Sequence, residues 1–141
     1  MKKILGLFLL LIILPSFSGA NSDIPLTVDN RIKTYTYNEN DVYKLLVNYG
    51  YQTTIEFSKN EKIVTISLGD NYSWKITPAS NRLFIKPMEE NINTNMTIIT
   101  NKRTYHFDLF SEKLSKEKLK ELVYVLRFFY PSEEALVASE E

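Results

Sequence analysis

The chain has 141 residues, with 17 Lys and Arg against 17 Asp and Glu, one histidine and no cysteine. That balance offers no electrostatic footprint for nucleic acid, whose binding domains are usually basic. Without cysteine there is neither a disulfide framework nor thiolate metal ligation, so stability has to come from apolar burial.

Residues 1–20, MKKILGLFLLLIILPSFSGA, open with Lys2 and Lys3, run apolar over 4–14 and close on Ser18-Gly19-Ala20. Charged, apolar and small-residue segments in that order are a secretory signal peptide cut after Ala20. An uncleaved anchor is the weaker reading, because the apolar run is about half of the ~20 residues a spanning helix requires. Loss of Lys2 and Lys3 leaves the mature chain slightly acidic, and a periplasmic product is expected. No later stretch is apolar for long enough to cross a bilayer.

Residues 21–131 read as one domain of short strands. RIKTYTY (31–37) alternates, VYKLLV (42–47) ends at the turn Asn48-Tyr49-Gly50, and YQTTIEF (51–57) follows. KIVTISL (62–68) sets Ile63, Thr65 and Ser67 against Val64, Ile66 and Leu68. YSWKIT (72–77) and RLFIKP (82–87) flank PASN, and Pro87 ends its strand because it has no N–H for the ladder. MTIIT (96–100) and RTYHFDLF (103–110) form a hairpin around Asn101-Lys102. Residues 111–122 read as one short helix near the C-terminus, 122–130 as a last strand stopped by Pro131, and 132–141 as an acidic flexible tail. Strands at ~8–12-residue spacing with turns between them predict an all-β fold, a sandwich of mostly antiparallel strands.

Candidate chemistry is sparse. On an alternating strand Tyr105, Phe107 and Leu109 share the apolar face, while Thr104, His106 and Asp108 line the other. His106 and Asp108 can approach each other, but no nucleophile motif accompanies them, and one histidine makes a poor zinc site. The pair reads as non-catalytic. Glu89-Glu90 and Glu133-Glu134 read as solvated charge in polar loops, and Lys102-Arg103 as a solvated hairpin tip. Trp74 reads as a core anchor. No catalytic residue, cofactor or metal ligand is assigned.

The final strand carries the interaction candidates. Leu122, Tyr124, Leu126, Phe128 and Tyr130 point one way, and Val123, Val125, Arg127 and Phe129 the other. The first set, with Trp74, Tyr105 and Phe107, is expected in the core. The second leaves an apolar outward row, which needs a cover. Either 111–122 folds back over it, or it is an intersubunit contact; the contact is the preferred reading.

DNRI (29–32), TTIEF (53–57), EKIV (61–64), Gly69-Asp70, Trp74, LFIKP (83–87), TNMTIITNKRTYHFDL (94–109) and YVLRFFYP (124–131) follow one another in that order. Together they resemble the TrbG/CagX family, periplasmic core-complex subunits of bacterial type IV secretion systems, over that family's N-terminal domain. The resemblance implies a β-sandwich with a non-enzymatic role. Copies of the chain, or a full-length paralogue, would form a ring with a TonB-like subunit anchored in the inner membrane. A small outer-membrane lipoprotein joins such rings through a second β-domain. That domain is not in this sequence, so an exported structural subunit, or a shortened accessory paralogue, without the lipoprotein contact is expected. The alternative from another class is a free-standing periplasmic binding or chaperone module that captures an extended segment on a sheet edge.

Overall fold

A computed structural model describes residues 29–139, so the leader assigned to 1–20 and its cut after Ala20 lie outside the described residues. The strands are β1 (Ile32–Thr36), β2 (Val42–Asn48), β3 (Thr53–Glu56), β4 (Ile63–Leu68), β5 (Trp74–Ala79), β6 (Arg82–Pro87), β7 (Asn93–Thr100), β8 (Thr104–Glu112) and β9 (Val125–Phe129). A 3-10 turn covers Lys116–Glu121, and helix α1 covers Pro131–Ser139. The strands form a five-stranded sheet in the order β1-β9-β3-β6-β5 and a four-stranded sheet in the order β2-β8-β7-β4.

Alternation decides which face each strand buries. Tyr43, Leu45 and Val47 of β2, Met96 and Ile98 of β7, and Tyr105, Phe107 and Leu109 of β8 turn inward from one sheet. Ile55 of β3, Trp74 of β5, Leu83 and Ile85 of β6, and Leu126 and Phe128 of β9 meet them from the other. Phe128 sits at the centre of an aromatic cluster, with ring centroids 4.9 Å from Tyr43 and 5.0 Å from Tyr105. Contacts of this kind add about 0.5–1.5 kcal/mol each beyond the area they bury.

Three of the seven pairings are parallel: β9 with β1 and with β3, and β2 with β8. The last strand is therefore inserted between the first and the third. Pro78 lies in β5, at the edge of its sheet, where a missing N–H leaves no ladder bond unmade.

Four local expectations are corrected. A bulge between Ile63 and Thr65 shifts the phase of β4, so Ile63, Ile66 and Leu68 pack on the core while Val64 is 66% exposed. An inserted residue has this effect because the side-chain period is two. β8 runs on to Glu112, and only Lys116–Glu121 is helical, as a 3-10 turn with no buried residue. The tail expected to be unstructured forms α1 from Pro131, which suits the first turn of a helix because its missing N–H would be unpaired there anyway. Finally, β9 begins at Val125 and not at 122. The N–H groups of Tyr124 and Val125 both donate to the carbonyl of Arg31, at 2.8 and 3.3 Å, which breaks the alternation just before the strand.

Gly69 marks a close approach. A Cβ there would stand 2.6 Å from Oδ1 of Asn95 and 2.8 Å from Oγ1 of Thr94, so only glycine fits between these two chain segments without a shift.

Candidate functional site

The break before β9 corrects two assignments. Val123 is buried, and its carbonyl accepts a hydrogen bond of 2.6 Å from the Thr53 hydroxyl. Tyr124 is 39% exposed instead of lying in the core, and the Arg31 guanidinium stands 4.6 Å from its ring centre. Val125, Arg127 and Phe129 do face outward, Val125 partly covered and Phe129 38% exposed. The 3-10 turn does not reach over them. It lies at the end of the sandwich, where Leu119 borders hollows shared with Asp29–Arg31 on one side and Tyr49–Tyr51 on the other.

Register places these residues in rows across the outer face of the five-stranded sheet. One row runs Ile32, Val125, Thr54, Phe84, Thr77. The next runs Thr34, Arg127, Glu56, Arg82. Glu56 accepts a hydrogen bond from Nε of Arg82 at 3.1 Å and forms an ion pair with Arg127, whose Nε stands 3.3 Å away. These are exposed pairs, each contributing at most ~1 kcal/mol. The face is thus a shallow apolar band beside a band of charge.

A second polar site lies at the tip of the β7–β8 hairpin, and it is built on the arginine that reads as solvated in the sequence. Glu61 is 0% exposed. Its carboxylate accepts from Oγ1 of Thr100 at 2.6 Å, the Tyr105 hydroxyl at 2.8 Å and NH1 of Arg103 at 2.8 Å. NH2 of Arg103 reaches Glu133 in the first turn of α1 at 2.7 Å, and Nζ of Lys102 reaches the same carboxylate at 3.3 Å. The guanidinium stacks 3.9 Å from the centre of the Tyr130 ring. The Tyr130 and Tyr105 hydroxyls are 2.8 Å apart.

Burial pushes the Tyr105 and Tyr130 phenols well above the ordinary tyrosine range, so both stay protonated. For Arg103, burial alone would lower the pKa; the Glu133 hydrogen bond and the Glu61 charge raise it instead. Glu133 is pulled below the ordinary glutamate range, chiefly by its hydrogen bond from Arg103. Each carboxylate has its cation, so the arrangement holds charge in place, and it fastens α1 to the sandwich. The signal for it was in the sequence: Arg103 is in phase with Tyr105 and Phe107, hence on the inner face.

His106 and Asp108 share the outer face of the four-stranded sheet, where His106 Nδ1 lies 3.1 Å from the Thr97 hydroxyl. Among the described residues no group of three or more His, Cys, Asp or Glu is placed to hold a metal. Trp74 is buried, with its indole N–H unpartnered among the described residues.

The model of the CagX family, described as a conjugal transfer protein, matches residues 30–140. The type IV secretion system protein virB9 of Bartonella henselae is 28% identical over 127 residues, covering 86% of this chain and 44% of its own length. The type IV secretion system protein PtlF of Bordetella pertussis is 30% identical over 122 residues, covering 74% of this chain and 45% of its own. Protein virB9 of Agrobacterium tumefaciens is 25% identical over 145 residues, covering 96% and 50%. The chain spans about half the length of these relatives.

Proposed function

The chain belongs to the CagX family of conjugal transfer proteins, and from that premise we propose that it is an exported structural subunit of a bacterial type IV secretion core complex. The extent of the match carries this reading: residues 30–140 include all nine strands, so the whole described sandwich is the family's. The similarity to virB9 and PtlF proteins favours it over a free-standing binding module.

In this reading the leader directs the chain to the periplasm. There the sandwich serves as a rigid block that assembles by protein contacts, with no chemistry of its own. Its partners are further copies or a longer paralogue, and a TonB-like subunit anchored in the inner membrane. Val125, Arg127 and Phe129 supply one contact surface, since they alone of the outward row remain exposed or partly so. Residues 21–131 act as the assembling domain.

The test is affinity capture of the tagged chain from detergent-solubilised envelopes of its host. The expected result is one large particle containing the other secretion proteins, with loss of secretion on deletion. A chain recovered in a one-to-one complex with a client, from cells that secrete normally without it, would overturn the proposal.

A further inference from the structure

The outer face of the five-stranded sheet has a third row beyond the apolar band. Lys75 of β5 and Lys86 of β6 are direct cross-strand partners, and both are exposed. Like charges placed opposite each other destabilise a sheet. Neither lysine forms an ion pair with any described residue. A lysine on an edge strand guards against unwanted strand pairing, which accounts for Lys75 on β5. Lys86 is one strand further in, where there is no edge to guard. With Gln52, Thr77 and Phe84 the two lysines line a hollow of about 230 Å³. Two ammonium groups, a side-chain amide and a hydroxyl beside one aromatic ring suit a carboxylate carried on an apolar stem.

A second cationic band lies further along the same strand. Arg82, Phe84 and Lys86 are the outward residues of β6, in the order cation, ring, cation. Arg82 and Arg127 meet Glu56 through their Nε atoms, and both side chains remain about half exposed. Two guanidinium groups against one carboxylate leave that band net positive. The whole chain has equal numbers of basic and acidic residues, so the excess on this face is local.

Spacing narrows the occupant. Alternate residues of a strand stand about 6.6 Å apart, so Arg82 and Lys86 are about 13 Å apart. An extended segment has the same rise and the same side-chain period, and three of its side chains can meet Arg82, Phe84 and Lys86 in step. A helix presents one face in steps of about 5.4 Å and falls out of step. Pro78 has no N–H to give at the free edge of β5, which favours the face over the edge.

We propose that this face binds an extended acidic segment of a partner protein, with two acids four residues apart and an apolar residue midway. One carboxylate enters the hollow between Lys75 and Lys86, the other meets the arginine band, and the apolar side chain lies on Phe84. That a partner protein supplies the segment rests on the subunit reading; the order acid, apolar, acid comes from the face alone.

Amide NMR of the mature chain at low ionic strength tests it, with a synthetic peptide as the probe. The peptide carries glutamates four positions apart, a leucine midway and threonine elsewhere. Saturable shifts are expected on β5, β6 and β9, with a dissociation constant in the millimolar range, and salt should weaken them. A peptide with glutamine for glutamate should not bind, and one with the same composition but adjacent glutamates should bind about fivefold more weakly. Lys75→Gln with Lys86→Gln should weaken binding about tenfold, while its denaturation midpoint stays at or above that of wild type because the like-charge pair is gone. The peptide controls keep the test independent of that variant. Absence of saturable shifts overturns the inference and leaves the lysines as solvated charge. Equal binding of the rearranged peptide, or an unaffected lysine variant, overturns it as well. Co-sedimentation with phosphatidylglycerol vesicles that the lysine variant loses would reassign the face to lipid and overturn it too. Capture of the chain in an envelope particle is a separate measurement: it can succeed with a peptide that fails here, and the titration can succeed where capture fails.

Discussion

Glu61 with Arg103, and Glu56 with Arg127 and Arg82, are networks of the same residue types in one sandwich, and burial sets them apart. Glu61 has no exposure and three donors within 2.8 Å, while Glu56 and its arginines stand on an open sheet face. Taking charge out of water costs several kcal/mol per ion, so the inner network holds only while every member is present. The outer one has little to lose, since water replaces any partner that leaves. The first can therefore fix where α1 starts, and the second can exchange a partner for water at little cost.

The largest effect is expected from Arg103→Ala. It leaves Glu61 buried without its cation and releases Glu133, and should reduce unfolding free energy by about 3–5 kcal/mol. Chemical denaturation measures this; an unchanged midpoint would mean that water enters the site freely. Tyr105→Phe removes a donor to the Glu61 carboxylate and an acceptor for Tyr130 while keeping the ring. A loss of about 1.5–3 kcal/mol is expected, in the range for hydrogen bonds to charged groups. If the variant matches wild type, the hydroxyl is not part of the network.

That contrast also separates what the sequence discloses from what it hides. Alternation in β2, β6, β7 and β8 is legible because each buries one face, and the fold class follows from it. The family was legible as well, since eight short words in order are specific where each alone is weak. The inner network was not, although its parts stand in those words: Glu61 in EKIV, Thr100, Arg103 and Tyr105 in the long one, Tyr130 in the last. Arg103 reads as a turn residue because charge at a hairpin tip usually is solvated, and only its phase with Tyr105 argues otherwise. Val123 and Tyr124 were misplaced for a different reason. A pattern of period two holds inside a strand, and the shared Arg31 carbonyl lies just outside one.

Acid should loosen α1 before it unfolds the sandwich. Glu133 titrates below its unfolded value, so its contribution is complete above the ordinary glutamate pKa of about 4.3 and is lost as pH falls through the lower folded value. Asp29, held at about 2 by the Arg31 side chain, keeps its charge further into the acid. Protection of the α1 amides from hydrogen exchange, relative to the intrinsic rate at each pH, should therefore fall below about pH 4 in wild type. In Glu133→Gln protection should be low already at neutral pH and nearly flat with pH. A wild-type profile that stays flat would show that other contacts hold the helix.

The smallest change in stability is expected on the outer face, and its smallness is what makes it informative. Arg127→Ala removes one of the two partners of Glu56, which keeps Arg82 and its water. Stability should fall by no more than about 1 kcal/mol, and less at high salt. A cycle of Arg127→Ala, Glu56→Ala and the double variant isolates the coupling; a value as large as that of the inner network would mean the face is covered in solution. The same Arg127→Ala change takes a cation from the outward row proposed as a contact surface. An arginine whose loss hardly alters folding but weakens assembly belongs to a contact surface, whereas one that alters neither is solvated charge. Measuring both quantities on one variant decides which description fits Arg127.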